Sequence, residues 1–178
     1  MNIIFQALWF FIPAFIANMA PVFVKKINFL NYPIDFEKTW NGKRLFGSHK
    51  TFRGFFFGTL FGAIFFEFQR MLFNLEIMKD FALINYSTAP FFLGALIAFS
   101  ALLGDSVKSF FKRRFDIRPG KPWVPFDQLD FMIFAVGLTL PWSGLSILNA
   151  LIVMGVVFIL TMVVQYTGYL LKFKDDKL

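Results

Sequence analysis

A chain of 178 residues with 57% apolar content, 21% aromatics and a mean hydropathy of +0.62 has the length of one domain but exceeds what a soluble core needs, so a lipid bilayer is its expected solvent. It has no Cys and one His, which excludes disulfide frameworks, thiolate metal sites and most His-centred catalysis. The net charge of +7 calls for anionic partners; because the basic residues lie between apolar segments and no nucleic-acid-binding motif accompanies them, headgroups and soluble anions are nearer partners than nucleic acid.

Crossing the hydrocarbon takes about 20 apolar residues in a helix, and five segments qualify. The first, 3–24, has no basic leader or small-residue cleavage site and reads as a retained span, with the mature chain starting at Met1. Asn18 and Pro21 in "NMAP" are its candidate break. A basic loop over 25–53 follows, in which "NGKRLFGSHKTFRGFFFG" sets Lys43, Arg44, His49, Lys50 and Arg53 among Gly42, Gly47, Gly54 and Gly58. Glycines let backbone N–H groups approach an anion, and Arg53 stands where the dipole of the next helix favours negative charge. Walker spacing is missing, so a flexible basic loop is the plainer alternative, and His49 reads as a loop hydrogen-bonding residue or a base. The second span, 54–73, carries Glu67, Gln69 and Arg70 in its last turns, where Arg70 can snorkel. The third is 81–103, and a second loop covers 104–130. The fourth and fifth, 131–148 and 150–171, are separated only by a turn somewhere between Pro141 and Asn149.

Seven Lys and Arg lie in 25–53, six in 108–121 and three in 172–177. With five spans all three regions share one side, which the positive-inside rule makes cytoplasmic, with the N-terminus outside. The expected fold is therefore an all-α, multi-pass cell-membrane protein folded as one domain over 1–178, its active site facing the cytoplasm. Its oligomeric state is left open.

The second loop, "GDSVKSFFKRRFDIRPGKPWVPFDQLDF", has more order than orientation requires. Asp105, Lys108, Ser109 and Lys112 fall at i, i+3, i+4 and i+7, on one helical face. Pro119, Gly120, Pro122 and Pro125 then end that helix. Asp127 and Asp130 follow at i, i+3, either as a cap and a first-turn charge or as functional carboxylates. A helix from Asp127 to Leu140 would rise only about 21 Å, drawing its acidic end toward membrane depth, where a carboxylate needs a partner. Three aspartates, Asp105, Asp127 and Asp130, beside many cations and almost no His favour a hard cation with oxygen ligands, Mg²⁺ before Zn²⁺. This inventory suits phosphoryl or nucleotidyl transfer, in which charge neutralisation and positioning do most of the work. A lipid phosphate monoester, with a second pKa near 6, is already a nucleophile at neutral pH. Together with a nucleoside triphosphate it brings roughly six negative charges, which two basic loops and a metal can balance.

"PAFIANMAPVF", "PIDFEKTWNGKRLFGSHKTFRG" and the second loop together resemble the CDP-archaeol synthases, CTP:2,3-bis-O-geranylgeranylglycerol-phosphate cytidylyltransferases, over nearly the whole chain. The resemblance implies a membrane enzyme of about five spans that takes CTP and an unsaturated ether-lipid phosphate, with Mg²⁺, to a CDP-lipid and pyrophosphate. It also echoes the related phosphatidate cytidylyltransferases in Ser109, Lys112, Arg113 and the Asp127, Asp130 pair, but lacks their Lys-Asp step and His-Gly-Gly run. Carried over by position, it assigns Asp105, Asp127 and Asp130 to the metal and, with Lys112, to catalysis. Lys108, Ser109, Lys112, Arg113 and Arg114 would hold substrate phosphates, and Lys43, His49, Lys50 and Arg53 would close the pocket. Trp123 would anchor at the headgroups or stack on a base. Two alternatives stand: a phosphatidate cytidylyltransferase acting on a diacyl lipid, and a non-catalytic anionic-lipid-binding membrane protein.

Overall fold

The computed structural model describes residues 2–118 and 121–170. The helix-breaking Pro119 and Gly120, the end of the fifth expected span at Leu171 and the basic tail 172–177 lie outside the described residues. The chain is built of helices α1 (Ile3–Phe10), α2 (Ile12–Phe23), α3 (Phe52–Leu72), the short α4 (Glu76–Lys79), α5 (Leu93–Arg114), α6 (Phe126–Ser143) and α7 (Ile147–Leu170). A two-stranded hairpin, β1 (Thr39–Trp40) and β2 (Lys43–Arg44), lies in the first loop. Among the described residues four stretches are long and apolar enough to cross a membrane: 3–26, 52–72, 93–114 and 147–167.

The expected fourth span is the exception. α6 has 18 residues, a rise of about 27 Å, but its first turns carry Asp127, Gln128 and Asp130, and it packs against α5 and α7. It is longer than the helix from Asp127 to Leu140 anticipated from sequence, because Pro141 is accommodated inside it and the stop comes at Gly144, in the left-handed region at φ +64°. The third helix begins at Leu93, twelve residues later than expected, since turns occupy the segment before it. It also runs on to Arg114, so the polar face of Asp105 to Lys112 belongs to a membrane helix and not to a separate loop helix.

The first span does break, but not at Pro21, which lies inside α2 with its ring against Gly54 of α3. The break is at Phe11, ahead of Pro13. Pro13 has no N–H to give the carbonyl four residues earlier, that of Trp9. The buried Gln69 of α3 supplies the donor instead, its Nε2 giving a hydrogen bond of 2.6 Å to the Trp9 carbonyl. An apolar environment offers no water to satisfy that oxygen, which explains a glutamine in an otherwise oily helix.

α2, α3, α5 and α6 form the packed centre, with α7 against α6 and α1. Phe10, Phe11, Phe66, Tyr86, Leu93, Ile97, Met132 and Val153 are fully buried there, while Val22, Phe56, Ile64, Ile159 and Val164 face outward, as lipid-facing residues do. Backbones meet closely where side chains are small: a methyl on Gly62 would overlap Ala98.

The first loop is folded, contrary to its reading as a flexible basic segment. Asn41 and Gly42 both have positive φ, 51° and 73°, giving the Asn-Gly hairpin turn that twists with its strands and pairs Thr39 with Arg44 and Trp40 with Lys43. Asp35, 3% exposed, ties the loop together. Its carboxylate accepts from the Arg44 guanidinium at 2.7 and 3.3 Å and from the backbone N–H groups of Glu37, Phe46 and Gly47 at 3.0 to 3.2 Å. Burial alone would raise its pKa; the Arg44 hydrogen bond and the three backbone donors outweigh that and lower it to about 2.

Candidate active site

Spacing on α5 puts Asp105, Lys108, Ser109 and Lys112 on one face, and the start of α6 lies directly across from it. A methyl on Gly104 would run into the carbonyl of Asp130, so the absent side chain is what brings the two helices together. Lys108 Nζ then stands 3.0 Å from Asp105, 3.2 Å from Asp127 and 2.7 Å from Asp130. Lys112 Nζ is 2.8 Å from Asp127 and gives a further hydrogen bond of 2.7 Å to the carbonyl of Lys121. Lys50, from the first loop, pairs with the other side of Asp105. Three lysines and three aspartates thus form a charge-balanced network, which is what ionised groups in a poorly hydrated place require. Gly104→Val, expected to push α5 from α6 and separate Asp105 from Asp130, should lower catalytic turnover by about 10²-fold for a misplacement of roughly 1 Å, with the protein still extractable as a folded monodisperse species; normal turnover would show that this approach is not needed.

Asp127 is not the N-cap of α6, a position held by Pro125. It lies in the first turn and its Oδ2 accepts from the Trp123 N–H at 2.6 Å. Trp123 stacks near Phe126, with ring centroids 4.4 Å apart, and meets Phe115 at 5.7 Å.

Two larger cavities meet at this network. A polar one of about 350 Å³ is lined by His49, Lys50, Asp105, Lys108, Lys112 and Arg113, with Ser109 and Arg44 at its edge. An apolar one of about 530 Å³ runs between α5 and α6 past Val107, Phe111, Trp123 and Ile133. Lys108 lines both. A smaller cavity of about 170 Å³ on the far side of Asp105 is walled by Asn18, Pro21, His49 and Lys50.

Three residues expected at the pocket are engaged elsewhere. Lys43 pairs with Asp116 at 2.7 Å. Arg53 is buried and donates to the carbonyl of Ile27. Arg114 donates to the carbonyl of Trp40 at 2.8 Å and lies over the rings of Phe110 and Trp40, 4.6 and 5.3 Å from their centroids. It fastens the hairpin to α5, which places both loops at the same end of the helices. Conversely, Arg44 reaches the polar cavity while bonded to Asp35. The Asn41–Gly42 turn was the sequence signal that could have revealed this fold of the loop.

Among the described residues no three acidic or His side chains form a ready metal-holding group; in this structure the Lys108 ammonium lies among the three aspartates. Their chemistry nevertheless fits a hard divalent cation. Mg²⁺ takes one or two carboxylates and fills its shell with water and phosphate oxygens, and Asp130 Oδ2, although close to the Lys108 ammonium, is buried and receives no well-directed hydrogen bond. That oxygen has lone pairs to give.

A sequence profile of the family described as CarS-like, CDP-archaeol synthase, matches residues 1–177. The CDP-archaeol synthase of Pyrococcus furiosus is 37% identical over 79% of this chain and 78% of its own. That of Pyrococcus abyssi is 33% identical over 98% of both. A solved structure, described as an intramembrane enzyme for archaeal membrane lipids biosynthesis, superposes with a TM-score of 0.69 at 26% identity, covering 89% of this chain and 91% of that one. With a match from end to end and the same overall fold, the chain belongs to the CDP-archaeol synthase family.

Proposed function

We propose that the two cavities hold the two substrates of CDP-archaeol synthesis, CTP in the polar pocket and the phosphate of an unsaturated archaeal ether lipid at the inner end of the apolar groove. The observation that carries this reading is Lys108, shared by both cavities and encircled by the three aspartates. A lipid whose chains lie along Phe111 and Ile133 brings its headgroup to the same ammonium that faces the nucleotide. The lipid phosphate oxygen attacks the α-phosphorus of CTP; a new P–O bond forms, the bond to the bridging oxygen of the β-phosphate breaks, and pyrophosphate leaves. As a dianion near neutral pH the attacking phosphate needs no proton removed, so no general base is required of His49 or any other residue. Lys50, Lys112 and Arg113 hold phosphate oxygens and neutralise charge that builds toward the leaving group, and the aromatic wall of Trp123 and Phe126 excludes water, which would compete as nucleophile. Mg²⁺, which Asp127 and Asp130 with Asp105 would hold, supplies charge neutralisation on the phosphates when bound.

The loops that make the site carry most of the positive charge, which supports a cytoplasmic site in a cell-membrane protein with its N-terminus outside. The test is detergent-solubilised protein with labelled CTP and Mg²⁺, offered either an unsaturated ether-lipid phosphate or diacyl phosphatidate. CDP-lipid and pyrophosphate are expected in equal amounts from the ether lipid, with loss of product on chelation. Product from the diacyl lipid alone would select a phosphatidate cytidylyltransferase, and lipid binding without product a non-catalytic anionic-lipid-binding protein.

A further inference from the structure

Lys108 is the only described side chain whose charged atom stands within 3.2 Å of all three site carboxylates. It sits 14% exposed, on an unbranched stem able to move between rotamers. The ammonium occupies the space between the oxygens where a divalent cation would have to lie. Without it, Asp105, Asp127 and Asp130 would face one another as three like charges answered only from the outside, by Lys50 on Asp105 and Lys112 on Asp127. Asp130 has no other ion-pair partner among the described residues, and the one it has leaves Oδ2 without a directed hydrogen bond. This is the geometry of a counter-ion that holds the carboxylates together while leaving one Asp130 oxygen unsatisfied.

We infer that Lys108 is an internal placeholder for the divalent cation: it keeps the three carboxylates together while the site is empty, competes with the metal for them, and turns toward substrate phosphate when the metal enters. The inference rests on the proposed Mg²⁺ reading of the site. Its physical ground is that the Lys108 ammonium already stands within 3.2 Å of all three carboxylates, so a dication can touch the same three only if the ammonium moves, and repulsion between the two favours that move. The displaced ammonium has open space to enter, because the same residue lines the polar cavity and the apolar groove. Across the exchange the cluster trades one positive charge for two, and the arriving polyanionic substrate answers both the surplus and the displaced ammonium. A consequence is that the empty enzyme binds metal weakly and the metal–nucleotide complex well, so that metal and CTP enter together.

The experiment measures Mn²⁺ affinity by electron paramagnetic resonance, without nucleotide, for the wild type, Lys108→Met, Lys108→Arg and Asp127→Asn. Lys108→Met should bind Mn²⁺ more tightly than wild type by about tenfold, the scale of removing one close like charge, while Lys108→Arg binds no better than wild type. Equal or weaker binding by Lys108→Met overturns the placeholder role while leaving the metal reading intact. No binding by either protein, or binding that Asp127→Asn leaves unchanged, overturns both. If Lys108→Met is recovered folded only when Mn²⁺ or Mg²⁺ is present during extraction, the inference is supported, because the metal then replaces the lost counter-ion. Should it be lost under both conditions, acetylation of wild-type lysines read by mass spectrometry decides the matter: Lys108 should label faster once saturating Mn²⁺ is added without nucleotide, and unchanged or slower labelling overturns the inference.

Discussion

Asp127→Asn is expected to lower CDP-lipid synthesis by about 10²- to 10³-fold, the scale seen when a single charge-stabilising group is removed from an active site. The substitution is nearly isosteric, and its remaining carbonyl oxygen can still accept from the Trp123 N–H, which Asp127 holds at 2.6 Å. The start of α6 should therefore persist. What disappears is the negative charge that faces Lys112 at 2.8 Å and Lys108 at 3.2 Å. Two ammonium groups then lose a shared counter-ion, and the proposed cation loses one of its carboxylates. The measurement is initial rate with saturating CTP, lipid and Mg²⁺, on protein shown to be monodisperse in detergent. A rate within tenfold of wild type would remove Asp127 from the reaction and return it to a structural role at the head of the helix.

Asp35→Ala is the second large effect, and it falls on the first loop and not on the chemistry. The carboxylate is fully shielded on its side-chain atoms and answers one guanidinium and three backbone N–H groups. Its removal leaves Arg44 without its partner and three backbone N–H groups without their acceptor. Because α2, α3, α5 and α6 pack directly on one another, the expected outcome is local unfolding: new protease cleavage between residues 35 and 48, faster amide exchange there, and a raised KM for CTP as Arg44, His49 and Lys50 lose their positions at the polar cavity. Cleavage and exchange equal to wild type would refute the role of Asp35. The same group makes the loop acid-sensitive. Its pKa is lowered from 3.8 to about 2 on folding, so its contribution is complete above about pH 4 and is lost as pH falls from there toward 2. Loop protection, taken as exchange corrected for its intrinsic pH dependence, should fall across that window and be flat between pH 5 and 8.

Much of the grouping of side chains at the candidate site was legible from spacing. The i, i+3, i+4, i+7 pattern from Asp105 to Lys112 needed only helical periodicity, and the structure shows those residues on one face of α5 opposite Asp127 and Asp130. The first loop was harder. Its Lys and Arg looked equivalent in sequence, yet Lys43 and Arg53 are bound to Asp116 and the Ile27 carbonyl, while Arg44 and Lys50 reach the polar cavity; on α5, Arg114 is likewise bound to the Trp40 carbonyl. A cation's sign is local, but its partner depends on which chain segments fold against it.

The amino-acid order alone determined that this is a helical membrane protein, which residues form the carboxylate and lysine face, and which family it resembles, because hydropathy, helical period and motif spacing are properties of neighbouring positions. It could not determine where the first helix breaks, since Pro13 and Pro21 are equally unable to donate; that choice was made by Gln69 reaching Trp9 from α3 and by Gly54 receiving the ring of Pro21. Nor could it place one lysine among three aspartates. Only the close approach of α5 and α6 at Gly104 does that, because the strength of a charge interaction depends on distance and on the water excluded from between the groups, and both are set by the packing of helices remote in sequence.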